Sequence, residues 1–169
     1  MIELERTFLA KIIPEGLKNC KQVEMIDIYV PKSRVHPTLR IRKQGDKYVV
    51  TRKAPVANDS STMREQTINI GEDEFKELAA VEGKRVHKLR YRFPYKGLTA
   101  EIDVFLDKLK GLVLVDFEFK TQRDKQNFVM PDFCLADVTQ EEFVAGGMLC
   151  GKAYNDIEDK LKRFGYETL

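Results

Sequence analysis

The chain of 169 residues has three cysteines, two histidines and no apolar run approaching the ~20 residues that cross a bilayer. Cys20, Cys134 and Cys150 are odd in number, widely spaced and without a Cys-x-x-Cys pair. Neither a disulfide framework nor a zinc site is expected from them, and reduced cytoplasmic thiols are. His36 and His87 lie in different segments, which argues against a His-based metal centre or a Ser-His-Asp triad. Both are expected to be structural or surface residues, His36 in a turn-like stretch before Pro37. The opening Met1-Ile2-Glu3-Leu4-Glu5-Arg6 is acidic where a secretory signal would be basic and then apolar. An excess of one charge sign is missing too: 29 Lys+Arg face 27 Asp+Glu, a formal net charge of +2. That balance argues against nucleic acid or an anionic membrane as a generic partner, unless the charges are sorted in space. Repeats, low-complexity tracts and linker-like stretches are also lacking, so one domain over residues 1–169 is expected.

What the chain has is alternation. Period-two patterns predict strands near Ile2–Leu9, Val23–Val30, Thr38–Lys43, Lys47–Lys53, Met63–Ile70, Val86–Phe93, Thr99–Phe105 and Leu112–Phe119. Gln44-Gly45-Asp46 and Tyr95-Lys96-Gly97 are hairpin signals, and Ala54–Ser61 reads as a polar loop. Glu72–Val81 predicts a short helix ending before Gly83. Thr139 with Glu142 three residues on suggests a capped helix through Val144, broken by Gly146-Gly147. Tyr154–Phe164 predicts an amphipathic helix with Ile157, Leu161 and Phe164 along one stripe. Consecutive antiparallel strands followed by helices predict an α+β, mainly β fold: an eight-stranded closed or nearly closed barrel, since closure removes exposed edges.

The alternate positions carry charge. Glu3 and Glu5 flank Leu4, Arg40 and Arg42 flank Ile41, and Lys88, Arg90 and Arg92 alternate with Leu89 and Tyr91. Glu101 and Asp103 flank Ile102, and Asp116 and Glu118 flank Phe117. Residues i and i+2 share a sheet face, so each strand shows a charged pair or triple on one side. For any one strand a solvated face over an apolar core is the ordinary explanation. Two features count against it collectively: each strand carries one sign only, and the bases are mostly Arg, suited to bidentate oxyanion recognition. A charged lumen is therefore favoured, with the solvated face as the alternative. In such a lumen the bases would hold a multiply anionic ligand with phosphate oxygens. The acids would need a divalent cation between them and it, Mg²⁺ or Mn²⁺ preferring oxygen donors.

At these residues the chain resembles the CYTH family, also called triphosphate tunnel metalloenzymes. The family marker E-x-E-x-K is represented by Glu3-Leu4-Glu5-Arg6-Thr7, followed by Leu39-Arg40-Ile41-Arg42-Lys43, Val50-Thr51-Arg52-Lys53, Arg64-Glu65 and Lys88-Leu89-Arg90-Tyr91. Glu101-Ile102-Asp103 and Asp116-Phe117-Glu118 stand for the acidic strands. The resemblance implies an eight-stranded antiparallel tunnel that binds a triphosphate-containing small molecule with Mg²⁺ or Mn²⁺. It places Glu3, Glu5, Asp116 and Glu118 at the metal, with Glu5, Asp103 and Asp116 as the catalytic acids. Arg40, Arg42, Lys53, Lys88, Arg90 and Lys152 would bind phosphate, with Glu65 as a supporting carboxylate. A metal-dependent phosphohydrolase is implied, with class IV adenylate cyclase as the second enzyme reading. No membrane partner is implied, nucleic acid enters only as a triphosphate end, and a homodimer is compatible.

One departure stands out. The motif lysine is Thr7, which keeps a non-hydrolytic polyphosphate- or nucleotide-binding module among the alternatives. Arg6 cannot replace the lysine, because it points to the opposite face, and Lys11 lies near the strand's end. Gly146 to Ala153 imitates a phosphate-binding P-loop, but Ala153 replaces the hydroxyl residue and the segment follows a predicted helix, so an interhelical loop is expected. Tyr91, Phe93, Phe117 and Phe119 are expected to pack the wall beneath the helices.

Overall fold

The computed structural model describes residues 2–57 and 59–169. Asn58, within the loop expected over Ala54–Ser61, and Met1, at the acidic N-terminus, lie outside them. Among the described residues nine strands form: β1 (Ile2–Ala10), β2 (Gln22–Val30), β3 (Leu39–Gln44), β4 (Lys47–Val56), β5 (Asp59–Ile70), β6 (Lys84–Tyr95), β7 (Leu98–Phe105), β8 (Val113–Phe119) and β9 (Cys134–Asp137). They run in the order β5-β4-β3-β2-β6-β7-β8-β1, and β5 pairs with β1 to close an eight-stranded antiparallel barrel. β1 shares one edge between two partners, Ile2–Leu4 pairing with β5 and Phe8–Ala10 with β9. In the gap Thr139 takes over: its Oγ1 accepts from the Thr7 N–H, while the Val138 N–H donates to the Thr7 carbonyl. The eight predicted strands are the eight barrel strands. The hairpin at Tyr95 turns through Lys96 and Gly97, with φ of 45° and 81°. Paired positive φ is the turn geometry that matches the strand twist.

Among the described residues the α-helices are α1 (Glu72–Ala79), α2 (Gln122–Asn127), α3 (Gly146–Leu149) and α4 (Glu158–Lys162). The apolar side chains pack in two places. On the outer wall Phe8, Ile102, Val115 and Phe117 are covered by Phe128 and Phe133 from the segment after β8. Tyr91, Phe93 and Phe119 belong to the same layer, as expected of wall packing. At one end of the barrel Leu9, Val86, Phe105 and Leu114 meet Val138, Phe143, Leu149, Ile157 and Leu161. The C-terminal segment thus plugs that end with apolar side chains.

This segment departs most from expectation. Thr139 caps no helix, because its hydroxyl serves β1 and donates to Asp137, leaving only a 3₁₀ turn at Glu142–Val144. Tyr154–Phe164 is broken at Ile157, where φ is −120°, into a 3₁₀ turn and α4; its stripe is nonetheless buried at Ile157 and Leu161. Gly146-Gly147, expected to break a helix, begins α3, and their lack of side chains serves close approach. A Cβ on Gly146 would stand 2.1 Å from the Tyr29 hydroxyl, and one on Gly147 2.5 Å from the Pro37 carbonyl. Gly146→Ala is therefore expected to lower stability by roughly 1–3 kcal/mol, read as a lower urea midpoint. An unchanged midpoint would mean the plug is not tightly seated on β2. Among the described residues no helix is long and apolar enough to cross a membrane.

Candidate active site

The barrel lumen is a cavity of about 420 Å³. Glu3, Glu5, Arg40, Arg42, Lys53, Glu65, Lys88, Arg90, Asp103, Asp116 and Glu118 all line it, because strand pleating turns alternate residues inward. Lys152 does not: it follows α3 in a turn where its N–H donates to the Leu149 carbonyl. A second depression, of about 580 Å³, lies open against β3–β5 and carries Arg52 as its one cation among the described residues. Several lumen residues lay outside the expected site: Asp27, Tyr29, Glu101 and Arg92. The last two continue the alternation of Asp103 and Arg90. Asp27 and Tyr29 share a face of β2 by the same period, a signal weakened by their single charge.

Signs are sorted around the barrel. The acidic strands β7, β8 and β1 are neighbours, while the bases sit on β6, β3 and β4. The two sides nevertheless touch through ion pairs. Arg90 donates to Asp103 through Nε (2.6 Å to Oδ1) and Nη2 (2.7 Å to Oδ2), to Glu101 through Nη1, and lies 3.4 Å from Asp116. Lys88 donates to Asp103 as well. Across the barrel Lys53 donates to Glu5 at 2.8 Å and sits 2.6 Å from Glu3 Oε2, a buried oxygen off the line of a hydrogen bond. Arg42 holds Asp27 by two bonds of 2.5 and 2.7 Å. Thr7 donates to Asp116 Oδ1 at 2.7 Å, and Thr67 to Glu65 at 2.7 Å. Arg6 points outward onto Asp137 and the Phe128 carbonyl, as its position in β1 requires.

Two kinds of carboxylate result. Burial pushes the Glu5 carboxyl up to about 7, with Asp116 and Glu3 adding to the rise and Lys53 opposing it. Asp116 and Glu118 are raised, chiefly by burial and then by neighbouring carboxylates. Asp103 is buried too, but Arg90 and Lys88 outweigh burial and hold it well below the usual carboxylate range. Asp27 is likewise held at about 2, burial being overcome by Arg42, Arg40 and Lys88. Lys88 is lowered, first by burial and then by Arg90 and Arg42, against Asp103. So Asp27 and Asp103 are fixed anions among the bases, whereas at Glu5, Asp116 and Glu118 burial outweighs the cations beside them.

A closed antiparallel barrel with a lumen of opposed charges defines the class. The chain belongs to the CYTH domain family, whose profile matches residues 1–131. It is 32% identical over 145 residues to an inorganic triphosphatase of Nitrosomonas europaea, covering 84% of this chain and 92% of that protein. To an inorganic triphosphatase of Acetivibrio thermocellus it is 29% identical over 123 residues, covering 72% and 77%. A crystal structure of an inorganic triphosphatase superposes with a TM-score of 0.65 at 29% identity, covering 89% of this chain and 95% of the other. A protein of Pyrococcus horikoshii, at 17% identity and a TM-score of 0.52, shares the fold.

Proposed function

We propose that the chain is a divalent-metal-dependent triphosphatase that hydrolyses inorganic tripolyphosphate, or a nucleoside or organic triphosphate, to a diphosphate and orthophosphate. The observation that carries this is the lumen: carboxyls raised by burial on two adjacent strands, β1 and β8, face a basic wall across about 420 Å³. The names of the relatives support it.

In this reading Arg40, Arg42, Lys53, Lys88 and Arg90 bind the phosphate oxygens. Glu65, tied to Thr67, supports them. Glu5 and Asp116, on the paired strands β1 and β8, orient the attacking water. Asp103 fixes Arg90 and Lys88 at the transferring group. Glu3, Glu5, Asp116 and Glu118 would hold the ion. They fit Mg²⁺ or Mn²⁺ in kind: all are oxygen donors, and Glu3 Oε2 is buried without a hydrogen bond. Among the described residues no three ligating groups form a ready cation site. Bound there, it would neutralise phosphate oxygens and make the attacking water more acidic. The three free thiols are consistent with a cytoplasmic setting.

The test is incubation with tripolyphosphate, ATP and thiamine triphosphate, each with Mg²⁺ or Mn²⁺. Orthophosphate release is expected. Cyclic AMP with pyrophosphate would instead establish cyclisation, and saturable binding without product a binding module. Thr7 motivates that last alternative, and its hydroxyl bond to Asp116 marks where the motif cation is missing. Thr7→Lys is expected to raise hydrolysis roughly 3- to 10-fold by adding a charge beside the reacting group. An unchanged rate would mean that Lys53, already on Glu3 and Glu5, does that work.

A further inference from the structure

Asp27 is an acid in the basic part of the lumen. Its strand, β2, lies between β6, which carries Lys88, and β3, which carries Arg40 and Arg42. The side chain is 2% exposed. Arg42, directly opposite in the strand register, donates Nε to Oδ1 at 2.5 Å and Nη2 to Oδ2 at 2.7 Å. Arg40 and Lys88 are near enough for their charges to act on the same carboxylate.

A fixed anion beside an anion-binding surface opposes the ligand by its charge, so its presence needs another reason. Charge balance is one, since several cations in a poorly hydrated wall repel one another. Orientation is the other. A guanidinium has five N–H groups in a rigid plane, and a carboxylate on the Nε/Nη2 edge fixes that plane. The Nη1 side is left for a further acceptor. We propose that Asp27 is a positioning residue: it locks Arg42 so that its remaining N–H groups face the phosphate chain, and it strengthens substrate binding although its own charge weakens it. This rests on the triphosphatase reading of the lumen.

The sign of one substitution separates the two reasons. Asp27→Asn makes the lumen one unit more positive, so charge alone demands tighter tripolyphosphate binding. Loss of the lock instead predicts a KM and a calorimetric Kd raised roughly 10- to 100-fold, with a much smaller fall in kcat. Arg42→Lys, which keeps the charge and removes the fork, should shift both constants the same way. In the Arg42→Lys background Asp27→Asn should add little, because the pair acts as a unit. Thermal unfolding of each variant shows whether the barrel is intact. Independently of any ligand, the Arg42 Nε–H resonance should be protected from exchange in the parent and lost in Asp27→Asn. Unchanged or tighter binding by Asp27→Asn, effects that multiply in the double variant, or a surviving Nε–H signal would each overturn the proposal. Turnover by the parent would meanwhile leave the triphosphatase reading standing. A parent that neither binds nor cleaves tripolyphosphate removes that reading, and the ligand assigned to Arg42 with it.

Discussion

Glu5→Gln should lower orthophosphate release from tripolyphosphate by roughly 10²- to 10⁴-fold, and should leave a protein more stable than the parent above pH 7. The first effect follows from removing the carboxyl proposed to orient the water and share the ion. The second follows from linkage. The Glu5 carboxyl is raised to about 7 in the folded protein, burial being the chief cause. The folded state therefore binds more protons than the unfolded chain, so this group's contribution to stability falls as pH rises from the ordinary carboxylate range to about 7. Glutamine has the same shape and no charge to bury. Lys53 keeps its pairing with Glu3, so the exchange does not strand a cation. The gain should reach a few kcal/mol at pH 8 and vanish near pH 4. Thermal unfolding in a chelator, at both pH values, measures it. Full activity in Glu5→Gln would remove the acidic wall from the mechanism. A lower midpoint at pH 8 would show that Lys53 compensates Glu5 completely.

The strands and their inward faces were legible because both depend on a local rule, the pleat of period two. Glu3, Glu5, Arg40, Arg42, Arg90 and Asp116 needed only their own neighbours to be assigned to one side. The sequence also sorts sign by strand, and the barrel order turns that into an acidic arc. What the pattern could not show is which acids are already spoken for. Asp103 and Asp116 look alike in sequence, yet one lies between Arg90 and Lys88 and the other beside Asp103 and Thr7. That difference comes from strands brought together by closure. The C-terminal segment was the least legible for a similar reason. Thr139 and Gly146 have strong local meanings, capping and breaking, but tertiary partners claimed both: β1 took the Thr139 hydroxyl, and Tyr29 required the bare Gly146 backbone. Lys152 followed the same course: the family resemblance implied a phosphate-binding cation there, and the plug holds it elsewhere.

The same distinction among acids predicts that Asp103→Asn is the most destabilising of the lumen substitutions, and that substrate repairs it. Asp103 is 1% exposed and accepts from Arg90 through both oxygens and from Lys88. Removing its charge leaves two buried cations side by side, at a cost of roughly 3–5 kcal/mol near neutral pH. The pH dependence has a definite sign. Asp103 titrates below the usual carboxylate range, so the stability it confers is present above an ordinary aspartate pKa and is lost as pH falls through the folded value. The deficit of Asp103→Asn should therefore shrink steadily below pH 4. At high pH it should shrink again, because Lys88, already lowered by burial, can shed its proton once its counter-ion is gone. In Asp103→Asn the Glu101 carboxylate on Nη1 still holds the Arg90 plane, so orientation is kept, and tripolyphosphate supplies the missing negative charge to those cations. It should therefore raise the melting temperature of Asp103→Asn by more than it raises that of the parent, because stabilisation by ligand grows with the logarithm of its affinity for the folded state. An equal shift in both would mean that Arg90 and Lys88 do not face the phosphate chain. The basic wall would then be reduced to Arg40, Arg42 and Lys53, with Arg90 and Lys88 bound permanently to the acids of β7.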